Sequence, residues 1–364
     1  MKVLLLTSDA YGANGGIALY NRDIVDALAA MTEVDEIVVV VRHMPWEPIG
    51  VPAKARLRTA SISSKIRFIK TALQASGETY GLVICGHVNL LPLAALLNQL
   101  IRAPLVLMVY GIDVWQPPFR LARQLLKCVD AVWSISAITT ERMNHWAALP
   151  AARYVQLPNA IHPDRYGLAA RSAVLQARHD LVDARVIMTL ARLPENERYK
   201  GVDEVIDAMP ALLETVPNLK YLVCGDGEDR PRLMQKAQAL GVAGSVVFVG
   251  MLAEADKADY FRLADAFVMP GRGEGFGFVF LEALACGVPV VGSQLDGSRE
   301  ALRNGQLGEL ADPNNPASVQ ACILQALAKP HGIPSGLSYF DWPHFQQRLS
   351  EAVQQVLQPK KGEA

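Results

Sequence analysis

The chain has 364 residues, 51% of them apolar and 20% charged, with 35 basic and 36 acidic side chains. That length is long for one core and points to two domains, in a composition ordinary for a water-soluble globular protein. A formal charge of −1 makes no case for a nucleic-acid partner, and no window reaches the ~18 apolar residues that span a bilayer.

The start, MKVLLLTSDAYG, turns polar too soon for a secretory leader. Its apolar run over residues 2–7 reads as a strand buried on both faces. Tyr11-Gly12-Ala13-Asn14-Gly15-Gly16 follows, then an amphipathic stretch over 17–31. Strand, glycine turn and helix is the geometry that sets phosphate on a helix N-terminus in doubly wound folds. Without GxGxxG, a plain tight turn is an equal alternative. Strands are expected at 36–41 and, on an edge, at 53–60. A helix at 63–74 would carry Ile62, Ile66, Ile69 and Leu73 on one face. Between Glu47 and Glu78 lie six basic residues, Lys54, Arg56, Arg58, Lys65, Arg67 and Lys70, and no acid. They form either a solvated positive face or a patch that rests on anionic lipid headgroups.

The next strand, 82–85, ends on Gly86-His87. Residues 88–101 are the most apolar stretch of the chain, but Asn89, Pro92, Asn98 and Gln99 interrupt it. The strand at 104–109 ends on Tyr110-Gly111-Ile112-Asp113, and that at 131–135 on Ser136. Asp9, His87, Tyr110, Asp113 and Ser136 thus recur at the carboxyl ends of successive strands, the edge where open parallel sheets bind ligands. His87 alone would read as a core histidine; in this company it becomes a site residue. Residues 155–166, VQLPNAIHPDRY, break the rhythm as a linker does, so the domains are set at 1–165 and 166–340. A second βα series follows, with strands at 186–190, 221–224, 246–250, 266–269, 288–291 and near 307–310, implying a second parallel sheet. A final helix, 341–358, is read as capped by Asp341 and packing back on the first domain. The five cysteines (Cys85, Cys128, Cys224, Cys286, Cys322) show no CxxC or Cys/His spacing, which argues for reduced thiols in a cytoplasmic protein over disulfides or zinc.

Arg192 ends the first strand of the second half, and Lys200-Gly201 opens the next helix beyond the loop LPENERY. A guanidinium fork and a mobile ammonium are what a diphosphate needs, although a surface loop of mixed charge reads the same way. Gly225-Asp226-Gly227 and Gly250-Met251 end the following strands, with bare backbone that could read a base edge. Asp226 either binds or only closes a turn. Residues 269–286 read MPGRGEGFGFVFLEALAC. Glu274 and Glu282 bracket a glycine turn and an apolar helix. Eight helical steps rise ~12 Å, so the two acids do not grip one atom but suit opposite ends of an elongated polar ligand. Gly271, Gly273, Gly275 and Gly277 let the backbone approach that ligand, and the helix start suits an anion. The plain alternative is a capped buried helix and a solvated Glu274, but an unpaired Glu282 among Phe, Leu, Ala and Cys would be costly. Two glycine-bearing anion sites suggest a ligand in the cleft between two doubly wound domains.

Glu274 and Glu282 within EGFGFVFLEALACGVPVV, Arg192 with Lys200-Gly201, Gly15-Gly16, the LPNA segment at 157–160 and Asp341-Trp342 resemble the retaining GT-B glycosyltransferases of family four, the glycosyl transferases group 1. The resemblance runs over essentially the whole chain and is strongest from 191 to 313. It implies an α/β GT-B fold, two Rossmann-like domains facing each other across a deep cleft. It implies transfer of a hexose from GDP-mannose or a UDP-hexose to an acceptor hydroxyl; a saccharide or lipid-linked saccharide in surface polysaccharide synthesis, met by a cytoplasmic protein at the inner face of a membrane, fits the basic patch by its charge. Neither cofactor nor metal is expected; the only near match to a DxD triplet, 180–183, lies in the linker region. By the same resemblance Arg192, Lys200, Gly15 and Gly16 meet the diphosphate, Glu274 with Gly275, Phe276 and Gly277 meets the sugar end, and Glu282 accepts from the ribose. Asp226, Gly250 and Met251 complete the donor site. Retention would proceed by front-face substitution, with Glu274 holding hydroxyls, rather than by double displacement. The chain departs from the family where many members carry a histidine and this one has Tyr110, next to Asp113. Either Tyr110 serves there, by bulk and hydroxyl, or His87 reaches the same place. The rivals are a GT-B sugar-nucleotide epimerase, a glycan phosphorylase, for which no pyridoxal-phosphate lysine stands out, and a catalytically lapsed nucleotide-sugar binder.

Overall fold

The computed structural model describes residues 1–59, 62 and 64–358, which form two α/β units. Ala60 and Ser63, inside the spans expected as strand and helix, lie outside the described residues. Unit 1 takes Met1–Ala160 and the C-terminal helix Trp342–Leu357, and unit 2 takes Ile161–Asp341.

In unit 1 the apolar runs become β1 (Lys2–Asp9), β2 (Glu36–His43), β3 (Ala55–Arg58), β4 (Leu82–Cys85), β5 (Leu105–Val109) and β6 (Ala131–Ser134). A further strand, β7 (Tyr154–Gln156), lies where a linker was expected. It is partly exposed and too short to show an apolar run, and it forms by pairing with the edge of β6, Val155 opposite Trp133. The sheet is parallel throughout, in the order β3-β2-β1-β4-β5-β6-β7. Val3–Leu6 of β1 and all of β5 are buried, as a parallel sheet between helical layers requires. The C-terminal helix joins this unit beside the helix Gly16–Ala30, with the Phe345 ring 6.0 Å from that of Tyr20.

Unit 2 repeats the plan with β8 (Arg185–Leu190), β9 (Leu219–Cys224), β10 (Val246–Gly250), β11 (Ala266–Val268), β12 (Val290–Ser293) and β13 (Glu309–Ala311), all parallel, in the order β10-β9-β8-β11-β12-β13. β12 starts later than the expected 288–291 because Pro289 has no N–H for the ladder. In each sheet the strand order reverses once, between β1 and β4 and between β8 and β11. Loops leaving such a switch point diverge and open a crevice at the carboxyl ends of the strands. Gly15-Gly16 follows β1 and His87 follows β4; Arg192 and Lys200 follow β8 and Glu274 follows β11.

For residues 54–73 one expectation is overturned and another narrowed. The helix Lys65–Ala75 turns Ile66, Ile69 and Leu73 outward, at 80%, 45% and 45% exposure, and buries Phe68, Thr71, Ala72 and Ala75. Positions 68, 71, 72 and 75 are a competing helical stripe, and an aromatic ring brings it more buried area than one isoleucine can. The basic run is also less free than its sequence suggests. Arg56 pairs with Glu36 at 2.8 Å and Glu78 at 2.9 Å, Arg58 pairs with Glu78 at 2.6 Å, and Lys54 donates to the Met31 carbonyl. Glu36 arrives from the neighbouring strand, a partner invisible to a count along the chain. Among the described residues no carboxylate pairs with Lys65, Arg67 or Lys70. Phe68→Ala is expected to cost about 3–5 kcal/mol in urea denaturation and Ile66→Ala no more than about 0.5 kcal/mol, an order the originally expected face would reverse.

Candidate functional site

The loop after β8 is irregular but tied down. The Ala191 N–H donates to the Cys224 carbonyl and the Leu193 N–H to that of Asp226, both at 3.0 Å. Glycine is required opposite: a Cβ on Gly225 would lie 1.8 Å from the Ala191 oxygen, and one on Gly227 2.2 Å from the Leu193 backbone. Farther along, Arg198 Nε donates at 3.0 Å to the buried Asp229. The chain then reverses at Gly201, at φ +87, where a Cβ would stand 2.7 Å from the Pro270 backbone. This brings the loops after β8 and β11 together.

At their junction Lys200 Nζ donates to Glu274 Oε2 at 2.8 Å. Burial works against the ammonium, but the Glu274 carboxylate outweighs it and the Lys200 pKa rises above its ordinary value. The Tyr199 ring fills the space over Gly273, where a Cβ would be 2.4 Å from it, and the Lys200 ammonium lies 5.4 Å from its centroid. Arg192 is 79% exposed and pairs with Glu197 at 2.6 Å.

Glu274 lies in the turn before the helix Phe278–Ala285, so the helical spacing to Glu282 does not apply. Its N–H donates to Asp296 Oδ2 at 2.9 Å, its carbonyl accepts the Gly297 N–H at 2.7 Å, and its Oε1 accepts the Gly275 N–H at 3.2 Å. Asp296 is fully buried, and burial pushes its carboxyl up to about 6 against the hydrogen bonds it accepts from Ser298. Glu282, 2% exposed, has other company. Lys257 Nζ lies 3.4 Å from Oε1, and Tyr166 also favours the ionised carboxylate. Burial raises the Glu282 pKa and Lys257 opposes it. Its second oxygen, Oε2, has no hydrogen-bond partner among the described residues.

The other expected donor-site residues are placed as follows. Phe276 is core, its ring 5.5 Å from that of Phe340, which leaves its backbone rather than its ring for a ligand. Asp226 closes a turn, with Oδ1 accepting the Gly227 N–H at 2.9 Å. Gly250 accepts the Gly225 N–H at 2.8 Å, and Met251 is 86% exposed.

In unit 1 the helix Gly16–Ala30 starts without a side-chain cap or an acidic residue in its first turn, after Gly15 at φ +104. Its first amides are therefore open to an anion. His87 accepts the Asn89 N–H on Nδ1 at 3.1 Å, so the neutral ring carries its proton on Nε2. Burial lowers its pKa, with Asp9 opposing. Tyr110 is different: its hydroxyl is buried, 2.8 Å from both Asn21 Oδ1 and the Gly86 carbonyl, and burial pushes its pKa well up. Its expected contact through that hydroxyl is corrected to a brace between strand ends. Asp113 accepts the Tyr110 N–H at 3.1 Å, and burial pushes its carboxyl up to about 7. Asp296, Lys257, Tyr166 and Tyr199 escaped the sequence reading. Only Asp296 had a signal, the Asp-Gly-Ser turn just after β12. Of the cysteines, Cys128 is exposed rather than in the core.

Residues 177–337 match the family model described as Glycosyl transferases group 1. The GDP-mannose-dependent alpha-(1-6)-phosphatidylinositol monomannoside mannosyltransferase of Mycolicibacterium smegmatis is 32% identical over 252 residues, which span 65% of this chain and 65% of that protein, just under two thirds of its length. The Mycobacterium tuberculosis protein of the same name is 28% identical over 95% of this chain and 94% of its own. Among solved structures, HepE of Anabaena in complex with UDP superposes with a TM-score of 0.76 at 21% identity, over 97% of this chain and all of that one.

Lys257→Met would leave Glu282 buried without its cation, at an expected cost of about 3 kcal/mol at pH 8. The cost belongs to the ionised form, so it shrinks toward pH 5 as the carboxyl takes up its proton. Urea midpoints at the two pH values check this, and an equal deficit at both contradicts it.

Proposed function

Because residues 177–337 belong to the group 1 glycosyl transferases and the fold is GT-B, we propose that this chain moves a hexose from a nucleoside-diphosphate sugar to an acceptor hydroxyl. The observation that carries this reading is the Lys200–Glu274 pair at the switch point between β8 and β11. A diphosphate entering there draws Lys200 from the carboxylate to phosphate oxygens, and the freed Glu274 accepts hydrogen bonds from sugar hydroxyls. Arg192, exposed and paired with Glu197, adds the planar fork that a diphosphate takes. The charge growing on the leaving diphosphate meets these cations in place, the kind of electrostatic work that dominates such catalysis. Glu282 Oε2, buried and unpartnered, suits a ribose hydroxyl, while Lys257 and Tyr166 steady the carboxylate.

With that role for Glu274 we assign retention by front-face substitution: the departing phosphate oxygen takes the acceptor proton as the new glycosidic bond forms. Two cations for one diphosphate make a metal or other cofactor unnecessary. In unit 1 the open amides after Gly15 and Gly16 suit a phosphate, and His87 offers a neutral N–H to a sugar or acceptor oxygen. Tyr110 and Asp113 are positioning residues. GDP-mannose is the donor to test first, because the mannosyltransferase relatives carry it in their names. The acceptor is a saccharide or lipid-linked saccharide of a surface glycan. Lys65, Arg67 and Lys70 favour work at the inner face of an anionic membrane, and among the described residues no helix is long and apolar enough to cross one.

GDP at 100 times its Kd is expected to stabilise the protein by ~2.7 kcal/mol in thermal unfolding, more than UDP at the same concentration. Glu282→Ala should weaken that binding, and Lys200→Ala should lower turnover about 10²–10³-fold. No shift with either nucleotide would sink the proposal. Binding without transfer or hydrolysis would point instead to a lapsed enzyme, and conversion of the sugar nucleotide without acceptor to an epimerase.

A further inference from the structure

Unit 1 holds a cavity of about 830 Å³ between the helices Lys65–Ala75, Leu91–Ile101 and Arg120–Leu125. Its walls are apolar, with Ile69, Leu93, Leu96, Phe119 and Leu121 among them, and two cations, Arg42 and Lys65, stand at its lining. Ile69, Leu96, Phe119 and Leu121 are each about half exposed, yet they converge on one hollow rather than scattering as surface hydrophobics do. The three helices read KIRFIKTALQA, LPLAALLNQLI and RLARQL and contain no carboxylate. Between Glu78 and Asp130 the only acid is Asp113, which is occupied with the Tyr110 N–H. Among the described residues none of Lys65, Arg67, Lys70, Arg120 and Arg123 has a carboxylate partner.

An apolar hollow under cations with no counter-charge fits one ligand chemistry, an alkyl chain that ends in an anion. We propose that this cavity binds a single hydrocarbon chain of an anionic lipid, with the headgroup phosphate held at Arg42 and Lys65. Inorganic phosphate has nothing to place against the walls, and a cationic amphiphile meets like charge in the lining. Ile66 and Leu73, exposed on the same helix as Ile69, extend the apolar surface beyond the cavity. The site uses residues of unit 1 alone, none of them assigned to the sugar nucleotide, so it stands apart from the transferase reading.

Titration calorimetry of the full chain with octyl, decyl and dodecyl phosphate, each below its critical micelle concentration, tests the proposal. Saturable one-to-one binding is expected, rising about fourfold per added methylene, the affinity equivalent of burying one CH₂. The double variant Ile69→Glu/Leu96→Glu puts carboxylates at half-exposed positions without opening the core. It should retain the wild-type thermal unfolding midpoint within a few degrees and lose at least tenfold in dodecyl phosphate affinity. Affinity that is flat across chain lengths, unchanged in that variant, or matched by dodecyltrimethylammonium overturns the proposal. Binding to phosphatidylglycerol vesicles with no binding of the monomers also overturns it, in favour of adsorption on a lipid surface.

Discussion

The ion pair between Lys200 and Glu274 joins two loops whose residues stand 74 positions apart, and the rest of the unit 2 site is arranged to make it possible. Three close approaches leave no room for side chains: Gly201 on the Pro270 backbone, Gly273 under the Tyr199 ring, and Gly297 against the Gly275 carbonyl. Asp296 then takes the Glu274 N–H, which would otherwise be a buried donor without a partner. The pair is thus set by backbone geometry before any substrate arrives. A cation held by a carboxylate is stored in a form that a phosphate can take over, since the exchange replaces one charge-assisted contact by another.

Among the described residues three carboxyls are pushed upward by burial, and each is compensated differently. Asp296 has hydroxyl and amide donors, Asp113 has backbone amides, and Glu282 has Lys257 and Tyr166. The first two are satisfied within the fold and act as braces. Glu282 keeps an oxygen without a donor among the described residues, a cost that a fold carries where a ligand supplies the missing hydrogen bond. That contrast separates the acid with a proposed binding role from the two that position their neighbours, without any appeal to sequence similarity. Tyr110 belongs with the braces. Its hydroxyl is spent on Asn21 and Gly86, whereas His87 on the adjacent strand end keeps a ring N–H to offer.

Charge is distributed differently over the N-terminal unit. Around β2 and β3 acids and bases pair locally, Glu36 and Glu78 taking up Arg56 and Arg58. The helices Lys65–Ala75 and Arg120–Leu125 carry cations and no acid, and with Leu91–Ile101 they bring apolar side chains to the surface. A folded chain retains such a surface at a cost in solubility, so it marks a place where a partner of opposite charge and apolar body is received.

Much of this architecture was legible in the residues alone. Strands buried on both faces are continuous apolar runs, so ten of the thirteen among the described residues have a signal that needs no partner, β7 and the edge strands β3 and β13 being weak or silent. Glycine turns at strand ends and the Glu274–Glu282 motif are equally local, and from them the doubly wound class and the group 1 resemblance follow. Tertiary structure alone decided who meets whom. It chose Lys257 and Tyr166 for Glu282, gave Tyr110 a bracing role, and buried Phe68 in place of Ile66. The physical reason is range. Periodicity and turn chemistry act over a few residues and are written consecutively, whereas ion pairing, desolvation and the choice between two competing helix faces depend on what distant strands and loops bring to the same point.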